Sequence, residues 1–319
     1  MAEKINEPTV EFDAPEVEDV AIASRRLQEY SKRALQLAVE VDRIHVNHDR
    51  FAKGLGALDR LFQIGPEFEM THGMRLVGPP GSGKSALFRY FRDSLPRSNL
   101  FAPGYGAVGI RAGRRPTAGQ MVGAFLRAYR YPFKYGGSAT VYARTGIVFD
   151  LVREKGTRLI FVDEAHNLMR QLKRRDQIDD EPEATDLLRE LIDTTKVSLV
   201  MAGTDLLDRL HSVDYHLNDR VTVRHALGHF DAGAKWRGFL RAMYKKAQSF
   251  DLAVIDSKEE ADRLHAATAG NPRSLKRLVT EGVLVAADGG KAALDTESLA
   301  KAFQIVFGSD TLMRNPYVG

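Results

Sequence analysis

Two short stretches carry residues whose types and spacing suit chemistry on a phosphate. The first is GPPGSGKS, made of Gly78, Pro79, Pro80, Gly81, Ser82, Gly83, Lys84 and Ser85, and it fits G-x-x-x-x-G-K-[ST] at every required position. Gly81 and Gly83 let the backbone curl so that successive N–H groups face an anion, and the helix start that follows adds its positive dipole end. Lys84 then reaches the β- and γ-phosphates of a nucleotide, and the Ser85 hydroxyl ligates Mg²⁺. The second stretch is RLIFVDEAHNLM, Arg158 to Met169, where the apolar run Leu159 to Val162 ends in two adjacent carboxylates. Asp163 would hold Mg²⁺ through water, and Glu164 would polarise an attacking water. A carboxylate base beside the metal separates ATP-hydrolysing proteins from phosphate-transferring kinases of similar shape.

The letters D-E-A-H also name a class of helicases. Such a helicase needs a second nucleotide-binding domain with an arginine-rich motif, and the remainder of the chain is too short and lacks that motif. The stretch VSLVMAGTDLLDRL instead places Thr204 at the end of a strand expected beside the loop strand. There its hydroxyl would meet the attacking water or the γ-phosphate; capping the turn that follows is the alternative. Further on, YHLNDRVTVRHALGHF offers Arg220 and Arg224, and Arg220 is the preferred candidate to reach a neighbouring subunit's γ-phosphate. AGNPRSLKRLV puts Arg273 at a helix start, where it suits sensing of the γ-phosphate from a lid.

Positioning these groups requires strands alternating with helices. MRLV, YGAVGIRA, TRLIFVDE, VSLVMAG and RHALGHF read as strands, separated by amphipathic helices such as TAGQMVGAFLRAYRY and TDLLRELIDTT. That alternation predicts a parallel five-stranded α/β sheet covered on both faces. Beyond about Asp256 the pattern turns to helices only. The chain therefore divides into an acidic tail (1–19), a helical lead-in (20–65), an ATPase core (66–255), a helical lid (256–306) and a tail (307–319). Helical spacing in the lead-in runs from Val20 to Val46.

Composition narrows the classes. With no cysteine, disulfides, iron–sulfur clusters and thiolate zinc sites are excluded. No apolar run is long enough for a membrane span and the N-terminus has no secretory signal, so a cytoplasmic protein without membrane partners is the expectation. Net charge is +4, but the first nineteen residues carry seven acidic groups against Lys4, which leaves the remainder near +10. A basic body suits a polyanionic partner. Arg114 and Arg115 precede Thr117 at a helix start, and Lys134, Ser138 and Thr140 lie in a Gly-rich loop before the next helix; such groups serve phosphate contacts. Ile44, His45 and Val46 fall near the predicted adenine pocket.

In this order the landmarks resemble those of the AAA+ ATPases: Walker A, Walker B, sensor 1, arginine finger and sensor 2. More narrowly, DRIHVNHDRFAKGLGALDRLF, LIFVDEAHNL, LVMAGTDLLDRL, GNPRSLKRLV and the terminal RNPYVG resemble the TniB/TnsC transposition ATPases, found in CRISPR-associated and related transposons. The resemblance runs from about Arg43 to the end. It implies an AAA+ core with a helical lid, ATP and Mg²⁺ as cofactors, and hydrolysis used as an assembly switch. It further implies a ring or helical homo-oligomer of about six or seven subunits on double-stranded DNA, linking a target-selector protein to a transposase in the bacterial nucleoid. The charged insertion Arg170 to Glu183 and the acidic N-terminus depart from the family pattern. Two other readings share the core: a helicase loader of the DnaC or IstB type, and an adaptor that binds ATP as a switch without useful turnover.

Overall fold

The computed structural model describes residues 30–132, 141–169, 183–308 and 314–317. Among the described residues five strands form one sheet: β1 (Gly73–Val77), β2 (Ala107–Arg111), β3 (Leu159–Asp163), β4 (Ser198–Gly203) and β5 (Val223–Ala226). Their spatial order is β2-β3-β4-β1-β5 and every pairing is parallel. All five predicted strands are present. β5 is shorter than its stretch suggested, ending at Ala226 and leaving His229 and Phe230 beyond it.

The helices are α1 (Lys32–Asp42), α2 (Asp49–Ile64), α3 (Lys84–Asp93), α4 (Ala118–Ala128), α5 (Val141–Glu154) and α6 (Ala184–Thr195). They continue with α7 (Leu210–Val213), α8 (Tyr215–Arg220), α9 (Ala234–Lys246), α10 (Lys258–Thr268), α11 (Pro272–Asp288) and α12 (Thr296–Phe307). The helical pattern expected to run to Val46 stops at Asp42. His48 then caps α2 by accepting from Phe51 N, which starts a new helix. α4 likewise ends at Ala128, short of Tyr131, because Arg130 takes a left-handed φ of 53° that no α-helix accommodates.

Side chains alternate across the sheet with a period of two. On β3, Leu159 and Phe161 join α2 and α3 in one core, where Phe161 stacks on Phe88 with ring centroids 4.3 Å apart. Ile160 and Val162 join α4, α5 and α6 in the other. β4 divides in the same way, Val200 and Ala202 to the first core, Leu199 and Met201 to the second. Both faces are therefore dry, as a parallel sheet with crossover helices requires. Each fully buried Leu or Phe contributes about 1.5–3 kcal/mol of transfer free energy.

Packing divides the chain into two units. One comprises Val46–Phe239 and Thr268–Ser274 and holds the sheet; the other comprises Met1–His45, Leu240–Ala267 and Leu275–Gly319. In the helical unit α1 packs on α11. Ala34 and Ala38 pack on Leu284 of α11, and Ser31 N donates to Asp288 Oδ1 at 2.9 Å. The final turn is anchored to α12 by Asn315 Nδ2, which donates to Ala300 O at 3.2 Å. In the sheet unit Trp236 is 1% exposed and stacks on Phe239.

Candidate nucleotide site

The parallel sheet brings the C-terminal ends of β1, β3 and β4 to one edge, where α/β folds bind ligands. β4 lies between the other two. The loop after β1 is tied to it by Gly78 N, which donates to Gly203 O at 3.0 Å. Gly81 and Gly83 adopt left-handed φ values of 81° and 99°, the freedom this loop needs from glycine. Lys84 opens α3 with its Nζ folded into the loop, donating to Gly78 O at 2.6 Å and Pro79 O at 2.9 Å. Burial pushes the Lys84 ammonium pKa down; Asp163 and Glu164 oppose that shift and the Arg273 charge reinforces it.

Ser85 Oγ donates to Asp163 Oδ2 at 2.7 Å. The other carboxylate oxygen accepts from Glu164 N at 2.9 Å, so Asp163 is oriented from both sides. A hydroxyl and a carboxylate in contact, facing a lysine and an anion cradle, are the oxygen donors that Mg²⁺ takes alongside phosphate. Glu164 itself holds a left-handed φ of 55°, strained for a residue with a Cβ. Its Oε2 lies 3.7 Å from His166 Nε2, whose Nδ1 is buried without a hydrogen-bond partner.

Thr204 follows β4 directly. Its side chain makes no capping hydrogen bond, and its Oγ1 is buried without a partner; the turn that follows is closed by the Thr204 carbonyl, which accepts from Leu207 N at 3.1 Å. A buried hydroxyl left unsatisfied within a protomer is uncommon.

The two candidate arginines are both engaged. Arg220 ends α8 and grips Asp193 through Nε and NH2, each at 2.7 Å, while NH1 donates to His216 O. Arg224, on β5, grips Asp208, whose carboxylate also lies 3.8 Å from Arg75. The Arg224 hydrogen bond holds the Asp208 pKa down, against the effect of burial. Arg273 is exposed at the start of α11, in the segment Thr268–Ser274 that packs with the sheet unit.

The remaining candidates are less concentrated. Ile44 and His45 belong to the helical unit, where Ile44 lines a cavity of about 220 Å³ with Leu37, Val41 and Phe250 and His45 O accepts from Lys246; Val46 begins the sheet unit. Arg114 and Arg115 are exposed beyond β2, and Thr117 caps α4 by accepting from Gln120 N. Lys134, Ser138 and Thr140 lie outside the described residues. Among the described residues there is no His, Asp or Glu cluster suited to hold a metal by itself, and no helix long and apolar enough to cross a membrane. Sequence reasoning missed Asp193, Asp208, His229 and Asn271, each a partner of a predicted group. Only Asn271 carried a local signal, since Asn followed by Pro is a strong helix start.

Residues 37–228, more than half of the chain, match the family model described as "Bacterial TniB protein". The chain belongs to the TniB family. Comparison with curated proteins gave no match. Among solved structures, this TniB-family chain is similar to the Aeropyrum pernix ORC2 protein, with TM-score 0.61 and 12% identity over 85% of this chain and 72% of that one. It is also similar to the Aeropyrum pernix ORC1 protein solved in complex with DNA, with TM-score 0.59 and 18% identity over 82% of this chain and 66% of that one. Cdc6p from Pyrobaculum aerophilum gives TM-score 0.58 and 17% identity over 83% of this chain and 70% of that one. At such identities the likeness speaks to fold. The fold is that of the AAA+ ATPases, as the order of motifs implied.

Proposed function

We propose that this TniB-family protein is an ATP-hydrolysing regulator of transposition that assembles on double-stranded DNA and links a target-selector protein to a transposase. The observation that carries the ATPase reading is the Ser85–Asp163 contact with Glu164 beside it and Lys84 at the mouth of the loop. When bound there, Mg²⁺ would be held by Ser85 and Asp163 and would neutralise charge on the phosphates. Lys84 leaves the loop carbonyls to bind the β- and γ-phosphates. Glu164 accepts the proton of the attacking water, and Thr204 donates its unused hydrogen to that water or to the γ-phosphate. Arg273 senses the γ-phosphate from the start of α11.

In the assembly Arg220 serves a neighbouring subunit's site, with Arg224 as the alternative; either must exchange its carboxylate partner for phosphate. Val46, which begins the sheet unit, serves the adenine side. Arg114, Arg115, Thr117, Lys134, Ser138 and Thr140 follow the DNA backbone without reading its sequence. ATP acts as the glue of a ring or helical oligomer, and slow hydrolysis resets it. Membership of the TniB family and the basic body of the chain support the DNA and transposition parts of this reading. A cytoplasmic, nucleoid-associated location follows from the same proposal.

The test is double-stranded DNA binding with and without a non-hydrolysable ATP analogue, with the particles inspected by electron microscopy for wild type and Lys84→Ala. Rings or filaments that require both DNA and analogue, and are lost in the variant, are the expected result. Wild-type protein that forms no DNA-linked assembly would sink the transposition reading.

A further inference from the structure

The turn that leads into α11 also touches the phosphate loop. Asn271 caps the helix through Oδ1, which accepts from Arg273 N at 3.0 Å and Ser274 N at 3.4 Å. The Nδ2 of the same side chain donates to the Pro80 carbonyl at 3.3 Å. His229, in the segment after β5, reaches that carbonyl through Nε2 at 3.0 Å. A carbonyl can only accept, so Nε2 carries the proton. Phe230 N donates to Gly270 O at 2.9 Å, which ties the two segments to each other. The fit is close enough that a Cβ on Gly81 would collide with the Asn271 side chain, and one on Gly270 with the Phe230 carbonyl.

Within the loop, then, the Gly78 and Pro79 carbonyls accept from Lys84, while the Pro80 carbonyl is held by residues from two distant segments. That division has a chemical consequence. Every described peptide is trans, so the Pro80 C=O and the Gly81 N–H point in opposite directions from one planar unit. Fixing the oxygen on Asn271 and His229 turns the Gly81 N–H away from them. Released, the peptide could rotate and offer an approaching phosphate the negative end of its dipole instead of the positive one.

We propose that Asn271 and His229 are positioning residues for nucleotide binding, holding peptide 80–81 so that the Gly81 N–H belongs to the phosphate cradle. The start of α11, which carries Arg273, is thereby coupled to the loop itself. This inference rests on the ATP reading above.

Asn271→Ser separates the two roles of the side chain. Serine caps helices well and is neutral, but is too short to reach Pro80. His229→Phe removes the donor and keeps a ring, and His229→Gln restores a donor. Full-length proteins are titrated with a non-hydrolysable ATP analogue and Mg²⁺, and steady-state hydrolysis is measured alongside. Asn271→Ser and His229→Phe should each raise Kd and KM by roughly 3- to 10-fold, with kcat at saturation within about 2-fold of wild type. His229→Gln should recover most of the loss, and the melting midpoint of Asn271→Ser should stay near that of wild type. The proposal is overturned if both Asn271→Ser and His229→Phe bind the analogue as tightly as wild type while Lys84→Ala has lost it. A fall in kcat with KM unchanged overturns it as well. If Lys84→Ala also binds normally, the ATP reading itself fails and takes this inference with it.

Discussion

The phosphate loop and the connection from Arg111 to Thr117 occupy equivalent places in the fold. Each leaves the C-terminal end of a parallel strand and enters a helix, β1 into α3 and β2 into α4. In the first, Lys84, Ser85 and the Pro80 carbonyl are all bonded to named partners. In the second, the backbone is held, with Ala112 N donating to Asp163 O and Ala112 O accepting from Asn167, yet Arg114 and Arg115 stand exposed on its rim. The contrast is what the two proposed roles would require. Transfer of a phosphoryl group demands reacting atoms placed within fractions of an ångström. Following a DNA backbone demands only charge within reach of long, mobile side chains.

Substitutions can break or sharpen that contrast. The largest effect should come from Glu164→Gln, which keeps shape and removes the base: kcat should fall about 100-fold or more with analogue affinity unchanged. Equal loss of affinity would instead make Glu164 an organiser of the loop. Thr204→Val should cost about 10-fold in turnover while leaving the melting midpoint unchanged or raised, because its hydroxyl has no hydrogen bond to lose. A clear drop in melting temperature would show that the hydroxyl supports the fold.

The smallest effect belongs to the other connection. Replacing Arg114 and Arg115 together by Ala should weaken double-stranded DNA binding a few-fold and flatten its salt dependence by about two phosphate contacts. Nucleotide affinity should not move. Were it to fall, the hydrogen bond from Ala112 to Asp163 would be carrying a coupling between the two connections.

Much of the site was legible before any coordinates. GPPGSGKS and LIFVDE announce themselves because a loop that wraps a phosphate tolerates few residue types at few positions, and because a fully buried strand must be apolar until its functional end. Thr204 was legible through the strand that carries it. Whether its hydroxyl would cap the following turn was open, and the structure closes that turn with the carbonyl instead. Arg220 and Arg224 could be nominated but their partners could not, since Asp193 and Asp208 are ordinary acidic residues on helical segments.

By itself the sequence determined the five strands, the motifs GPPGSGKS and LIFVDE and the kinship with TniB proteins, because each is written in local spacing: period two, period 3.6, or a fixed motif. Tertiary structure alone decided that α1 joins α11, and that Asn271 and His229 share one loop carbonyl across 191 and 149 residues of chain. Such contacts depend on the path of the backbone through space, and a pattern only a few residues long holds no record of that path.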